Sequence, residues 1–302
     1  MSHAKRFRIS AANANDQTFD ADRPLHVSGQ ANMKTSKLLM TLGVVVLSVF
    51  ARLAPVHAEA LDDIEKRGVL RVAVPQDFAP FGSVGPSMQL EGLDIDVSGL
   101  LAKKLGAKLE LVPVTSANRI PYLQTKKVDL VISTLGRDAE RDKVIDFSQS
   151  YSPYNNSVYG PANMKIDGPA DMAGKTVGVA RGTFEDLMLT KSVPPSTTIK
   201  RFEDNSGMIS AYLAGQVPLV GTGDFVANKI AATLPASAPN KPALKYVIHE
   251  SACHVGLNKN EPKLMAKVDA ILTEAKKDGE LNGIVEKWLH VPLSVKMAQS
   301  TE

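Results

Sequence analysis

The chain has 302 residues, of which 44% are hydrophobic and 22% charged, a composition typical of a globular protein with one or two domains. Aromatic residues make up only 5%, which argues against a surface that stacks on nucleic-acid bases. Residues 1–58 hold 7 of the 35 Lys and Arg residues and 3 of the 32 Asp and Glu residues. The remaining 28 basic and 29 acidic residues bring the net charge of residues 59–302 near −1, so no nucleic-acid partner is expected.

The amino-terminal segment has the pattern of an export signal. Lys34 and Lys37 form a short basic region, and Leu38–Ala51 is a mostly apolar run of 14 residues. The small residues that follow predict cleavage after Ala58. A membrane anchor is the weaker interpretation, because a span needs about 20 apolar residues. Cys253 is the only cysteine, so we predict a buried, inert thiol, no internal disulfide and no lipoprotein anchor.

Strand and helix patterns alternate along the first part of the remaining chain, which predicts an α/β fold with mixed or parallel sheets. The predicted elements are helix Leu61–Arg67, strand Val69–Val74, helix Leu93–Leu105, strand Leu109–Val112, helix Ala117–Thr125, strand Val128–Ile132 and helix Ala139–Val144. Pro153, within the polar stretch 152–157, is expected to interrupt this unit.

A second unit of the same kind is predicted from about Gly168. Its elements are strand Thr176–Ala180, helix Thr183–Thr190, strand Thr198–Arg201, helix Asn205–Ala214, strand Val217–Val220, helix Asp224–Thr233 and strand Leu244–Ile248. The chain then returns to the first unit through strand His254–Leu257 and helices Lys263–Lys277 and Glu280–Leu289. We therefore predict lobe one over 59–153 and 250–302, lobe two over 154–249, and a ligand cleft between them.

Polar residues follow two neighbouring strands of the first unit. Ser116 and Arg119 follow one strand, whereas Ser133, Thr134, Gly136 and Arg141 follow the other. An open α/β sheet binds its ligand at the carboxyl ends of its strands. A cation and free backbone N–H groups at that edge suit an anionic group such as a carboxylate.

The second unit offers two further candidates. Thr183 stands at a strand-to-helix turn, where free N–H groups and the helix dipole favour an anion. Asp224 opens a predicted helix after two glycines, which let the backbone approach a ligand closely. Simpler interpretations remain open: Asp224 as a plain helix cap, and Arg141 as a surface ion pair. No catalytic triad and no histidine pair with metal-ligand spacing is evident, so neither cofactor nor metal is predicted.

Taken in order, several segments resemble the periplasmic amino-acid-binding proteins that feed ATP-driven (ABC) importers, the polar amino-acid branch of solute-binding protein family 3. The segments are GVLRVAV (68–74), FAPF (78–81), LEGLDIDV (90–97), RIPYL (119–123), VDLVIS (128–133), ERDKVIDFS (140–148), GVARGT (178–183) and GDFVA (223–227). The resemblance implies the two-lobe type II periplasmic-binding fold, with a mixed sheet in each lobe and two hinge strands. It also implies a monomer in the periplasm that binds an amino acid, serves a membrane permease and is not an enzyme.

The resemblance further implies a role for each candidate residue. Arg141 grips the ligand's α-carboxylate, with Ser133, Thr134 and the Gly136 N–H beside it. Thr183 and Phe184 open a helix whose N–H groups face the same carboxylate. Asp224 holds the α-ammonium group. Phe78 packs on the ligand, although a purely core role for it is the alternative.

The segment TSANRIP (115–121) resembles the glutamate/aspartate-binding members, in which its serine and arginine reach the ligand. Ser116 and Arg119 occupy those places, and a second cation would pair a side-chain carboxylate that is costly to bury alone. Pro75, however, stands where some acidic-ligand members carry arginine, and Arg181 is a possible replacement. A polar or acidic L-amino acid is therefore the expected ligand.

Two other functions remain open. A dehydratase offshoot of the family carries a carboxylate near the Gly-Thr turn, so Glu185 could act as a general acid. Its alternative role is to complement the helix dipole. A sensor protein that presents its ligand-bound form to a receptor is the other possibility.

Overall fold

The structure is a computed structural model and describes residues 59–294 and 297. Within these residues, eleven strands form two sheets. The strands are β1 Val69–Val74, β2 Asp77–Phe78, β3 Gly82–Val84, β4 Leu90–Glu91, β5 Lys108–Pro113, β6 Leu130–Leu135, β7 Ile145–Pro161, β8 Thr176–Ala180, β9 Thr198–Phe202, β10 Leu219–Gly223 and β11 Pro242–Asn258. The predicted export signal, including cleavage after Ala58, lies outside the described residues.

The larger sheet has eight strands in the order β5-β1-β6-β11-β7-β10-β8-β9. Strands β5, β1 and β6 are parallel and, with the helices, loops and small sheet packed around them, form what we call half one. The parallel strands β10, β8 and β9, with the helices and loops packed around them, form half two. The two 17-residue strands β7 and β11 pair with each other in antiparallel fashion and join the halves. The predicted hinge strands are thus these two, and they merge the sheets of both halves into one.

Helices cover the sheet in the manner of a mixed α/β fold. They are α1 Ala60–Arg67, α2 Leu93–Leu105, α3 Arg119–Gln124, α4 Phe184–Ser192, α5 Asn205–Leu213, α6 Asp224–Thr233, α7 Pro262–Lys277 and α8 Glu280–Leu289. Helix α2 packs on β1, β5 and β6, and α8 packs on α2 and α7. Strands β2–β4 form a small antiparallel sheet beside α2. The carboxyl-terminal helices therefore return to half one, as predicted.

Burial of the strands of half one explains why their sequences are continuous apolar runs. Leu70, Val72 and Val74 of β1 have no exposed surface, and neither do Leu130 and Ile132 of β6. A strand buried on both faces loses the alternation of polar and apolar residues. Because these strands are fully enclosed, their carboxyl ends are held in fixed positions at one edge of the sheet.

Two predicted features are wrong. The helix expected over Ala139–Val144 is only a 3-10 turn, Arg141–Lys143, because the Asp138 carboxylate accepts the N–H groups of Glu140 and Arg141 and the chain then enters β7. The expected interruption at 152–157 lies in the middle of β7, where Pro153 stands opposite Ala252 of β11. Pairing between residues about 100 positions apart overrides the local signal of the proline.

Two smaller predictions concern the cysteine and the membrane. Cys253 is a free, buried thiol, as predicted, and burial raises its pKa well above the usual value. Among the described residues no helix has the length and apolar character that crossing a bilayer requires.

Candidate ligand-binding cleft

A cleft lies between the carboxyl ends of β5 and β6 and the start of α4, so that both halves contribute to it. Its lining residues are Pro75, Phe78, Val114, Ser116, Arg119, Ser133, Thr134, Tyr154, Asn156, Thr183, Phe184, Glu185 and Asn205. Seven of the ten predicted site residues are among them. The other three, Gly136, Arg141 and Asp224, lie outside this lining.

Arg119 supplies the positive charge of the cleft. Its side chain is buried, and its Nη1 donates to the Ser133 carbonyl oxygen at 2.6 Å. Its Nη2 has only a long contact, 3.5 Å, to the Gly182 carbonyl oxygen, and its Nε has no hydrogen-bond partner within 59–294 or 297. Burial and the nearby Arg141 lower the pKa of Arg119 to about 9, so the guanidinium is charged at neutral pH. One edge of this buried guanidinium thus lacks a short hydrogen bond.

Arg141 is engaged differently, although it is equally buried. Its Nη1 donates to the Gly136 carbonyl oxygen at 2.8 Å and its Nη2 to the Gly182 carbonyl oxygen at 3.1 Å. Its Nε lies 3.2 Å from Asp138 Oδ2. Because Gly136 belongs to half one and Gly182 to half two, Arg141 links the halves next to the cleft. All three of its nitrogens therefore already have partners.

Thr134 is held in place by a buried acid, Asp94. Thr134 has a φ of 47°, in the left-handed region that threonine rarely adopts. Its backbone N–H and its hydroxyl both donate to Asp94 Oδ2, at 2.8 and 2.9 Å. The hydroxyl of Tyr151 donates to Asp94 Oδ1 at 2.7 Å. Both donors of Thr134 are thus occupied by Asp94 in this structure.

Glu185 places a carboxyl group in the cleft opposite half one. It is 3% exposed and accepts a hydrogen bond of 3.0 Å from the hydroxyl of Tyr154. Burial raises the pKa of Glu185, while hydrogen bonds to its own N–H, Tyr154 and Thr183 and the charge of Arg119 act in the opposite direction. The cleft therefore contains a guanidinium and a carboxyl group in one buried space.

The turn before α4 positions this carboxyl group. Thr183 caps the helix by accepting the N–H of Asp186, as helix N-cap residues do. The Phe184 ring stacks on His249 with 5.3 Å between centroids, and it packs against Gly136, where a Cβ would lie 3.2 Å from it. Because Gly136 has no side chain, the Phe184 ring of half two can pack closely against half one, although Gly136 does not line the cleft.

Asp224 lies beside the cleft at the start of α6. Its Oδ2 accepts a hydrogen bond of 2.9 Å from Asn155 Nδ2, and its Oδ1 accepts the N–H of Phe225. Gly223 just before it is pressed against the Tyr154 ring, which occupies the place of any Cβ there. Tyr154 itself lines the cleft, so Asp224 is adjacent to the cleft wall.

Further contacts hold the halves together around the cleft. Asp77 of half one accepts the backbone N–H groups of Asn205 and Ser206, the first residues of α5 in half two, at 2.8 and 3.0 Å. Gly182 meets Ala117 so closely that a Cβ on Gly182 would lie 3.5 Å from the Ala117 Cβ. The structure is therefore a closed arrangement of the two halves.

Sequence reasoning missed several lining residues. Tyr154 and Asn156 lie on β7, which was expected to be interrupted here, and Asn205 was expected only as a helix start. Residues two apart on a strand point to the same face, so Tyr154 and Asn156 would have been predicted together if β7 had been predicted as a strand. Arg181 ion-pairs with Glu203 at 3.0 Å with both side chains largely exposed, so it does not add a charge to the cleft.

Comparison with known proteins places the chain in a family. The profile of the bacterial extracellular solute-binding proteins, family 3, matches residues 70–291. The chain belongs to this family. Among the residues described here, no group of three or more His, Cys, Asp or Glu side chains could hold a metal ion.

Several named proteins are similar in sequence to this solute-binding protein. It is 37% identical over 161 residues to a glutamine-binding protein of Geobacillus stearothermophilus, over 52% of this chain and 61% of that protein. It is 27% identical to the L-cystine-binding protein TcyJ of Escherichia coli, over 87% and 96% of the two chains. The glutamate/aspartate import solute-binding protein of Salmonella typhimurium is 26% identical, over 85% and 90%.

Solved structures share the fold of this solute-binding protein. A mutant of the protein ArgBP from T. maritima superposes with a TM-score of 0.70 at 28% identity, over 77% of this chain and all of that one. The ancestral amino acid-binding protein AncCDT-1, described as a precursor of cyclohexadienyl dehydratase, superposes with a TM-score of 0.68 at 32% identity over the same shares. The predicted type II periplasmic-binding fold is thereby confirmed.

Proposed function

We propose that the protein is the solute-binding component of an ABC importer, which captures a polar L-amino acid in the cleft and delivers it to a membrane permease. The observation that carries the proposal is the pair of opposite charges, Arg119 and Glu185, enclosed in one cleft between the two halves. A zwitterion has matching charges at a short separation. Neither charge is buried without a partner once such a ligand is bound.

The α-carboxylate of the ligand is assigned to Arg119. The Nε and Nη2 atoms of a guanidinium form a planar fork that matches the two oxygens of a carboxylate. Arg119 has this edge available, whereas the nitrogens of Arg141 bind Gly136, Gly182 and Asp138. Ser116 and Ser133 line the same side of the cleft and supply polar contacts.

The α-ammonium group is assigned to the acidic side of the cleft. Glu185 lines the cleft, and Asp224 stands next to its wall at Tyr154 and Gly223. Phe78 and Phe184 supply apolar surface for the carbon chain of the ligand. Because half one supplies Arg119 and half two supplies Glu185, only the closed form binds both ends, so the ligand stabilises closure.

The charge balance of the cleft favours a ligand with an uncharged polar side chain. A second carboxylate on the ligand would approach Glu185, and a second ammonium would approach Arg119, at a free-energy cost in either case. The relative named as a glutamine-binding protein supports this choice. The glutamate/aspartate-binding relative and the TSANRIP segment support an acidic ligand instead.

Family membership supports the remaining parts of the proposal. The family is one of extracellular proteins, which agrees with export to the periplasm after cleavage at Ala58. The lobes 59–153 plus 250–302 and 154–249 are predicted from the sequence pattern, and delivery to a permease by a monomer is what the family resemblance implies. Residues 153–154 and 249–250 lie within β7 and β11, where hinge bending would separate the halves.

Calorimetric titration with a panel of amino acids tests the proposal. Protein unfolded and refolded to remove bound ligand is titrated with L-glutamine, L-cystine, L-glutamate, L-aspartate, L-arginine and L-histidine. We expect one-to-one binding, tightest for an uncharged polar amino acid. Tight binding of glutamate alone would show that the site accepts a ligand with a second carboxylate. Tight binding of arginine or histidine alone would reject the role of Arg119. The absence of binding to every amino acid of the panel would reject the proposed function.

A second candidate function rests on Glu185. Burial raises the pKa of the Glu185 carboxyl group, which is the direction that a general acid requires. The similarity to the ancestral protein AncCDT-1 makes a dehydratase acting on cyclic dienyl acids the relevant reaction. Turnover of prephenate or arogenate that is lost in Glu185→Gln would establish it, whereas saturable binding without turnover favours the importer.

A further inference from the structure

Asp94 is a buried carboxylate with an unusual set of partners. It has no exposed surface, and its oxygens receive three hydrogen bonds, from the N–H and hydroxyl of Thr134 and from the hydroxyl of Tyr151. Within the described part of the chain, no basic side chain forms an ion pair with it. Burial of a charge without an ion-pair partner costs free energy.

Thr134 explains why an acid is useful at this place. The left-handed φ of 47° costs free energy for threonine, and the two bonds to Asp94 Oδ2 hold that conformation. The carbonyl oxygens of Ser133 and Thr134 lie 2.6 and 3.5 Å from Nη1 of Arg119. The orientation of the Arg119 guanidinium therefore depends on the backbone that Asp94 fixes.

We propose that Asp94 is a positioning residue of the cleft: its carboxylate holds Thr134, and through Thr134 the guanidinium of Arg119, in the arrangement that binds ligand. The inference rests on the proposed binding function of the cleft. It adds a residue that touches no ligand and that sets the geometry of the cation. It also couples ligand affinity to the ionisation of one buried acid.

The pH range of this coupling follows from the surroundings of Asp94. Burial raises the pKa of Asp94 to about 6, although the bonds from Tyr151 and Thr134 act in the opposite direction. The groups that face it are Arg119, Tyr151 and Cys253. Arg119 stays charged below its pKa of about 9, while the tyrosine and the thiol stay neutral because burial raises both of their pKa values.

Protonation should weaken the hold of Asp94 on Thr134. Hydrogen bonds to an ionised carboxylate are roughly twice as strong as hydrogen bonds between neutral groups. A proton on Oδ1 can be donated to the Tyr151 hydroxyl once that hydroxyl rotates, so both bonds from Thr134 to Oδ2 remain but lose the help of the charge. We therefore expect the strand end to relax, and Arg119 with it, as the pH falls through about 6.

The first measurement uses no ligand. The chemical shift of the Thr134 amide is followed by NMR between pH 4.5 and pH 8 in the wild-type protein and in Asp94→Asn. The asparagine keeps an acceptor for Thr134 but loses the charge. The wild-type amide should titrate with a midpoint near 6, and the variant amide should not. Because Glu185 also has a raised pKa, this local reporter separates Asp94 from it.

The second measurement is the affinity for L-glutamine by calorimetry. If binding requires ionised Asp94, the wild-type affinity should fall about tenfold between pH 7.5 and pH 5, and the affinity of Asp94→Asn should be almost constant. Asp96→Asn is the matched control, because Asp96 lies on the same helix but binds Lys287 and Trp288. This control should retain the wild-type pH profile.

The outcomes separate the two proposals. A Thr134 amide that does not titrate in the wild type, or an Asp94→Asn protein whose affinity keeps the wild-type pH dependence, would overturn the role of Asp94. Failure of the wild type to bind any amino acid of the panel would overturn the proposed function. In that case the Thr134 titration alone would still decide whether Asp94 holds the strand end.

Discussion

Two arginines lie near the cleft, and they differ in how many of their nitrogen atoms already have a partner. Arg141 donates hydrogen bonds to Gly136 and Gly182 and ion-pairs with Asp138, which makes it a bridge between the halves. Only Nη1 of Arg119 forms a short hydrogen bond, which it donates to the Ser133 carbonyl oxygen. A buried guanidinium with an unused edge is unfavourable until an anion binds there, so Arg119 gains most from a ligand.

Replacement of Arg119 tests this assignment. Arg119→Ala leaves the ligand's α-carboxylate unpaired in the cleft, which should cost roughly 2–5 kcal/mol of binding free energy. That corresponds to a loss of roughly 30- to 5,000-fold in the affinity for L-glutamine measured by calorimetry. Arg119→Lys should also bind weakly, because an ammonium group keeps the charge but not the planar fork.

Two further variants control this result. Arg181→Ala removes an exposed arginine paired with Glu203 and should change the affinity little. Arg141→Ala should weaken binding by loosening the contact between Gly136 and Gly182. If Arg141→Ala abolished binding while Arg119→Ala lost less than threefold, the carboxylate would belong to Arg141, as the family resemblance implies.

The chemistry of the site could be predicted from the sequence, but not the distribution of roles. Residues at strand ends indicated a cation and polar groups at one edge, and Arg119, Ser133 and Thr134 do meet in the cleft. Which arginine has a free edge depends on carbonyl groups of Gly136 and Gly182, which come together only after folding. No local pattern records such contacts.

At the scale of elements, helix α5 is capped from both halves. Its own Asp204 accepts the N–H of Gly207 at 2.7 Å, which is an ordinary cap. Asp77, from the small sheet in half one, accepts the N–H groups of Asn205 and Ser206 and also Asn205 Nδ2. A carboxylate at a helix amino terminus also interacts favourably with the dipole. These bonds join the two halves, so they should be lost when the halves separate.

Removal of Asp77 should therefore weaken closure. A lost cap costs about 1 kcal/mol, so Asp77→Ala should lower the affinity for L-glutamine about fivefold. Small-angle scattering should also show a larger radius of gyration for the variant at ligand concentrations that close the wild type. Calorimetry and scattering on the same samples make the comparison.

Asp204→Ala is the control for this prediction, because it removes a cap of the same helix within half two. It should lower the thermal stability of the protein without changing how far the halves open. An Asp77→Ala protein with unchanged affinity and unchanged scattering would show that the bonds to α5 do not contribute to closure.

Helices were easier to predict than the two long strands. Leu93–Leu105, Asp224–Thr233 and Glu280–Leu289 begin and end as predicted, because periodicity and end signals are local. β11 was predicted as two separate strands, Leu244–Ile248 and His254–Leu257, and β7 was not predicted as a strand, since irregular register and Pro153 break the local pattern. Their pairing joins residues far apart in the chain, and that information is not present in a window of neighbouring residues.

For the molecule as a whole, the cleft requires motion. Its lining residues are mostly buried, and Arg119 and Glu185 are enclosed by contacts between the halves. A ligand can enter only when these contacts separate, and the only strands that connect the halves are β7 and β11 of the described sheet. Opening must therefore occur by bending in these strands, while each half keeps its own core.

A cross-link between the halves tests this motion. A Cβ added at Gly182 would lie 3.5 Å from the Ala117 Cβ, within the range of a disulfide, and 3.0 Å from the Ala117 Cα, so the cross-link requires a small shift of the backbone. In the double variant Ala117→Cys/Gly182→Cys, oxidation should hold the halves closed and slow the entry of L-glutamine by orders of magnitude. Reduction should restore entry. Stopped-flow fluorescence of Trp288, or of an attached dye, measures the rate before and after reduction.

Each single cysteine variant controls for strain and for the extra thiol. Gly182 has a φ of 75°, so a side chain there is strained by roughly 1–2 kcal/mol, and Gly182→Cys alone measures that effect. Native Cys253 is buried and should not compete for the cross-link. If the oxidised double variant took up L-glutamine as fast as the reduced form, ligand would reach the cleft without separation of the halves. The opposite charges of Arg119 and Glu185 would then form a preassembled site, and closure could not be the event that signals occupancy to a permease.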